Sequence, residues 1–503
     1  MLLEYSLVQG LFGALLLAPT TVATPYSRNH RRRDEYVWPT EVADQAHDSS
    51  WPDFVNKTTR WSTYEPPSFN EVFLPENVED LSIGLKYLSG AGKTFLAKSG
   101  GHGYSPTLHA IQDAVMINLE NFDYVTVNED LSVTLGTGAK FSELVEVVGN
   151  AGRELTVGAC PCVGAMGAML GGGLGRFQGL HGLTSDALRS ARVALWNGTI
   201  VEASADVNQD LFWGLRGAGQ NFGVVIDAIF ETYAATNGGQ QYSSDMTFSA
   251  DKLEAVFDVT NQLLSDGLDP ALALAIAIGS NPVTLEPLIL VNVVYPGPEE
   301  KGQEYARLYS NFSDSMTEQM TAWTNLANVA LPSVVISGCP TGNQHNQYSI
   351  MTKDLKTEHF REALESYRSF VQQHPTANNS VIFIETFGQA GIKAFPDDFS
   401  AFPHRNQFDN AVVFSMTYAD VSVAEDADAW ALQWRDHFAQ PEVSGYDKMV
   451  IYQNYAHDDE PLSALYGYDG WRHERLSALK KSYDPQGLFN GYHAVPADLA
   501  GWS

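Results

Sequence analysis

The chain has 503 residues, with 60 acidic against 30 basic side chains, a formal charge of −30 and a hydrophobic fraction of 44%. That length and apolar content suit a globular protein with more than one core, and the charge excludes nucleic acid as a partner, because its phosphates would be repelled. The three cysteines, Cys160, Cys162 and Cys339, exclude a disulfide scaffold; Cys160 and Cys162 stand too close for an ordinary bridge, and the spacing matches no structural zinc site, so no metal is expected.

Residues 7–18 are mostly apolar and Thr21-Val22-Ala23 offers small side chains for cleavage, so 1–23 reads as a signal peptide and the mature chain starts near Thr24. The apolar run is too short and broken for a membrane span, and no membrane anchor is expected. Four Asn-x-Ser/Thr sequons, at Asn56, Asn197, Asn311 and Asn378, are glycosylation candidates on the secretory route. Residues 24–66 form a polar leading segment, in which Arg31-Arg32-Arg33 is a solvated charge run or a processing site.

Folded structure begins near Pro67. Apolar residues at helical spacing predict a helix over 78–88. Two short strands, 94–98 and 114–119, flank Ser99-Gly100-Gly101-His102-Gly103, whose glycines free backbone N–H groups to approach an anion such as a pyrophosphate. A hairpin over 124–135, a helix over 141–148 and a hairpin over 193–201 turned at Asn197-Gly198 follow. Between them, 158–175 (GACPCVGAMGAMLGGGLG) is too dense in glycine for a helix or strand interior, and its interleaved Val163, Met166, Met169 and Leu170 argue for a segment wrapped around a ligand. Residues 223–233 read as the strand closing this region.

Beyond about residue 237, helices over 252–264, 299–309, 358–372 and 424–438 alternate with strands over 271–278, 288–294, 381–387, 411–418 and 446–455, the pattern of a sheet covered by helices. A last helix lies within 475–489 and ends at Asp484-Pro485. GxSxG and P-loop motifs are absent. Gly217-Ala-Gly-Gln-Asn-Phe-Gly223 is one residue too long for a dinucleotide fingerprint.

SGGH, GxCPxVGxxGxxLGGGxG and DLFWxLRGxGxNFGxV, in this order, resemble the FAD-linked oxidases of the vanillyl-alcohol-oxidase (PCMH-type) fold, within them the berberine-bridge-enzyme-like group. The resemblance runs from about Pro67 to Val495. It implies a two-domain α+β flavoprotein: an FAD domain of two small α/β subdomains over 67–236, a substrate domain with an antiparallel sheet covered by helices over 237–450, and a segment over 451–503 that returns to the FAD domain. It implies FAD held by Ser99, Gly100, Gly101, His102 and Gly103, by Cys160, Val163, Gly164, Gly167, Gly171, Gly172, Gly173 and Gly175, and by Gly223 and Val224. His102 is the expected covalent attachment to the flavin. Cys160, directly before Pro161, is either a second attachment or a buried free thiol. Tyr455, closing Tyr452-Gln453-Asn454-Tyr455, matches a tyrosine that takes the substrate proton in sugar-oxidising members. Such a phenol, with a pKa near 10, needs a partner to accept a proton at neutral pH. Glu385, alone among apolar residues of its strand on the face of Phe383 and Phe387, is the candidate partner or an alternative base. His404-Arg405 reads as a structural contact between domains. The expectation is therefore a secreted FAD oxidoreductase, its oligomeric state open with a monomer favoured, either an oxidase that passes electrons from a small molecule to dioxygen or a flavin-binding protein or dehydrogenase without oxidase turnover.

Overall fold

The computed structural model describes residues 37–502 except Ser337, so the expected leader and the arginine run lie outside the described residues. The first sheet has four strands. Phe69–Phe73, Ala114–Asn118 and Phe95–Lys98 run parallel in that spatial order, and Ala46–Asp48 adds an antiparallel edge. The strand Ala114–Asn118 is buried on both faces, which explains its unbroken apolar run. The helix Val78–Gly90 buries Leu81, Leu85 and Leu88 in the core beside it, and the Asn77 side chain accepts from the Glu79 and Asp80 N–H groups of its first turn.

The second sheet is antiparallel, in the order Val125–Val127, Val133–Gly136, Val224–Phe230, Leu188–Ala194, Ile200–Ser204. Its two outer pairs are the expected hairpins. Val224–Phe230, expected to close the region, is instead the central strand, and its burial on both faces accounts for its sequence.

The third sheet has seven strands: β1 (Gln240–Ser249), β2 (Ala273–Ser280), β3 (Pro287–Tyr295), β4 (Ser315–Ala322), β5 (Gln344–Thr352), β6 (Val381–Phe387) and β7 (Asn410–Tyr418). They are fully antiparallel, in the order β4-β1-β3-β2-β6-β7-β5. Four helices pack on this sheet or on one another: α1 (Leu253–Ser265), α2 (Glu299–Ser310), α3 (Thr357–Gln373) and α4 (Ala424–Phe438). Alternation sets the two faces of each strand. On β7, Phe414 packs against Trp430 and Phe438 of α4, while Val413, Ser415 and Thr417 face a cavity.

Two expectations are corrected. Residues 446–455 do not form a strand. Val450 accepts from Met351 and Ile451 donates to Ala464, so the segment threads between β5 and a short helix, Leu462–Tyr466, without building a ladder. Cys339, whose pairing the sequence did not address, forms a disulfide with Cys162 across 177 residues. The terminal helix spans Gly470–Tyr483 and starts ahead of the expected segment. From Trp38 onward the chain is one compact unit.

Candidate active site

A cavity of about 830 Å³ runs between the small sheets and the inner face of the large one. Ser99, Gly100, Gly101, His102, Gly103, Cys160, Val163, Gly164, Gly167, Gly223, Val224, Glu385 and Tyr455 all line it. Residues from five distant stretches therefore meet at one surface. Gly100 and Gly164 touch backbone to backbone: a Cβ on Gly100 would stand 2.4 Å from the Gly164 nitrogen, and one on Gly164 2.5 Å from the Gly100 nitrogen. Only glycine allows the two loops this approach.

Gly171, Gly172, Gly173 and Gly175 do not line the cavity; they sit behind its wall. Gly172 and Gly173 have φ of +125° and +86°, and a Cβ on either would strike Phe402 or Thr184. The Tyr452 hydroxyl accepts hydrogen bonds from the Gly173 and Leu174 N–H groups, both at 3.0 Å, and Asn454 donates to the Ala168 carbonyl at 2.8 Å. The Tyr-x-Asn-Tyr segment thus clamps the glycine-dense loop with its first tyrosine and its asparagine, and turns its last tyrosine to the cavity.

Tyr455 ends a short helical turn, Gln453–Tyr455, anchored by Ser349, which donates to its carbonyl at 2.8 Å. Its hydroxyl donates to Glu385 at 3.0 Å. Glu385 lies on β6 opposite Ala275 of β2 and Ala411 of β7, two small neighbours that leave room for the carboxylate and the phenol. Burial pushes the Glu385 carboxyl up to about 7, against the opposing pull of the Tyr455 hydrogen bond and the Arg176 charge. Burial, together with the Glu385 charge, holds the Tyr455 phenol well above its ordinary range. Above about pH 7 the pair therefore holds its proton on the tyrosine and its negative charge on the carboxylate.

Across the cavity, His102 stacks on Trp61 at 4.9 Å, and Trp61 stacks on His345 at 3.9 Å. Burial, with help from His345 and Arg60, pushes His102 down to about 4, so its imidazole is neutral. Its Nδ1 is buried with no hydrogen-bond partner. Cys160 is a free thiol, pushed up to about 11 by burial. Its sulfur lies 3.1 Å from that of Cys162 and 3.6 Å from that of Cys339.

The sequence reading missed Arg60 and Lys98, two cations that line the cavity beside the Ser99–Gly103 loop. Arg60 donates to the Gly103 carbonyl at 2.8 Å, and burial lowers it to about 10; Lys98 is lowered to about 8, also by burial. Neither stands in a motif, and only the fold brings Arg60 to the loop. His404 and Arg405 are buried away from the cavity. Arg405 makes a two-pronged pair with Asp186 at 2.6 and 3.0 Å, and His404 bonds the Ala464 carbonyl.

A family model for an FAD binding domain matches residues 70–204. The FAD-linked oxidoreductase srdI of Neurospora crassa is 30% identical over 502 residues, 97% of this chain and 98% of the relative. Two solved structures share the fold. Glucooligosaccharide oxidase from Acremonium strictum has a TM-score of 0.77 at 21% identity, covering 91% of this chain and 98% of that one. The BBE-like 1 protein of Physcomitrella patens has a TM-score of 0.77 at 20% identity, covering 91% and 98%. The chain belongs to the FAD-linked oxidoreductases, and its fold is that of the BBE-like 1 protein and of glucooligosaccharide oxidase. It is an FAD-dependent enzyme of the oxidoreductase class.

The cavity fits that cofactor. Two glycine loops in backbone contact, cations at Arg60 and Lys98 and an unpartnered His102 Nδ1 are the donor set that a flavin dinucleotide needs.

Proposed function

We propose that the enzyme is an oxidase that removes hydrogen from a C–H next to an oxygen or nitrogen of a small molecule, an alcohol, a sugar or a secondary-metabolite intermediate, and delivers the electrons to dioxygen. The observation that carries this reading is the Tyr455–Glu385 pair, at 3.0 Å, on the wall of the cavity that His102 also lines. An FAD held there by the loops Ser99–Gly103 and Cys160–Gly167 would supply hydride-acceptor and electron-transfer chemistry. The residues do the rest. The Tyr455 oxygen accepts the proton of the substrate hydroxyl or amine while its own proton passes to Glu385, so the charge ends on neither phenol nor substrate. An ionised Glu385 is the condition for that transfer.

In the same reading, His102 holds FAD covalently through its neutral ring. Glucooligosaccharide oxidase from Acremonium strictum carries a 6-S-cysteinyl, 8α-N1-histidyl FAD, and Cys160 is the thiol here for a second link. The flavin is held by 67–236 together with 451–503, and the substrate by 237–450. Secretion follows from the leader-like 1–23 and from sequons at Asn56, Asn197, Asn311 and Asn378, the first three of which are exposed. No helix among the described residues is long and apolar enough to cross a membrane.

The test is peroxide release against a panel of oligosaccharides, aromatic alcohols and amines, run in parallel with an artificial electron acceptor. Peroxide formed in proportion to product supports the oxidase. Turnover with the dye alone makes it a dehydrogenase, and none with either leaves a flavin-binding protein.

A further inference from the structure

Two helices outside the cavity bring together three side chains that the flavin chemistry does not use. His359 and Glu362 stand one turn apart on α3, and His437 stands in the last turn of α4. The Nε2 of His437 lies 3.0 Å from the Nδ1 of His359, and a Glu362 carboxylate oxygen lies 4.0 Å from that same Nδ1. One ligand atom from each of the three lies within 4.8 Å of the other two.

The core fixes this meeting. Each histidine is followed in the chain by a phenylalanine, and those two, Phe360 and Phe438, are buried against each other at 4.6 Å. The helices therefore cannot slide without breaking the core, and the imidazoles stay opposed. Two nitrogens bound to one ion at about 2.0–2.1 Å each stand roughly 3 Å apart, so the spacing of the two ring nitrogens already suits a shared metal. Glu362 is exposed, and a rotamer change carries its carboxylate to the third position. Two imidazoles and one carboxylate form a donor set for borderline transition ions, not for magnesium or calcium. Burial and His359 oppose positive charge on the His437 ring, while Glu362 and Glu442 place negative charge beside it. A hydrogen bond between the two rings would account for their distance but gives Glu362 no part.

We propose that His359, Glu362 and His437 form a binding site for one divalent transition-metal ion of the zinc, nickel or copper type, tying α3 to α4 on the side of the sheet away from the cavity. Its role is structural: α4 packs through Phe438 on Phe414 of β7, whose neighbours Val413 and Ser415 line the cavity.

Tag-free, flavin-loaded protein, stripped with EDTA and dialysed, is titrated calorimetrically with Zn(II), and its melting is followed with and without the ion. The expected result is one saturable site per chain and a higher melting temperature with zinc. Cu(II) should also quench tryptophan emission, because the Trp434 ring lies 5.4 Å from that of His437. His437→Ala and His359→Asn should each weaken binding by about tenfold or more, Glu362→Gln should weaken it less, and His374→Ala, at another surface histidine, should leave it unchanged. The two histidines lie on different helices, and melting in EDTA reports whether each variant is folded, so either folded variant decides. Binding of wild-type strength in a folded His437→Ala or His359→Asn overturns the proposal, as does the lack of a saturable site in the wild type.

Discussion

Glu385 and Tyr455 are joined by one hydrogen bond on the cavity wall, and this sets how the enzyme should respond to pH. A buried carboxyl near 7 is ionised only above that value, so the rate of flavin reduction by substrate should fall as pH drops through about 7. Stability should run the other way. The folded carboxyl holds its proton more tightly than the unfolded one, with its ordinary value of 4.5, so its contribution is fully present below about 4.5 and lost as pH rises through about 7. Tyr455→Phe removes the relay oxygen and keeps the ring, and should slow anaerobic flavin reduction by about 10²–10⁴-fold with an unchanged flavin spectrum. Glu385→Gln should abolish the acid limb of the pH profile, and the double variant should be little slower than the worse single one, because the two act as a unit. A Tyr455→Phe enzyme that reduces its flavin at the wild-type rate would assign the base elsewhere. At His102, acid precipitation is the direct measurement: wild type should stay yellow, whereas His102→Ala combined with Cys160→Ser should release its flavin to the supernatant.

At the scale of elements, the Tyr452–Tyr455 turn holds the flavin-side loop in place. Tyr452→Phe would leave the buried Gly173 and Leu174 N–H groups without their shared acceptor, each at a cost of about 1–3 kcal/mol. A drop in melting temperature, and in flavin content after purification, should follow even though the ring remains. The glycine motifs and the four covering helices were legible in the sequence, because close backbone approach demands glycine and a one-sided helix demands apolar residues at helical spacing. Strands β1, β4 and β5 were not. Gln241, Ser243 and Ser244 of β1, and His345, Asn346 and Ser349 of β5, are polar yet buried, and β4 is an exposed edge. On β5 the partners come from other segments: Asn346 bonds Asp428, and Ser349 bonds the Tyr455 carbonyl. A polar strand that is satisfied at long range carries no alternation to read. Glu385 was conspicuous because its neighbours along β6 are apolar, whereas Arg60 gave no local signal at all.

For the whole molecule, the Cys162–Cys339 bridge joins the loop at the cavity floor to the segment just before β5. A link over 177 residues restricts the unfolded chain strongly, and its loss should cost about 2–5 kcal/mol. Cys339→Ser should therefore lower the melting temperature, as should a reductant acting on the wild type. Cys162→Ser should lower it less, because Cys160, 3.6 Å from Cys339, can take over the bond. Peptide mapping of the non-reduced variant would identify the substitute bridge, and finding Cys339 free there would refute the exchange. Three sulfurs in one cluster can also mispair during biogenesis. Oxidation that joins Cys160 to Cys339 gives a chain with its sheets intact but no thiol at residue 160 for the cofactor. The batch ratio of singly to doubly attached flavin would then record which bridge closed first, so that expression conditions, and not the active site alone, would set the colour and potential of the enzyme recovered.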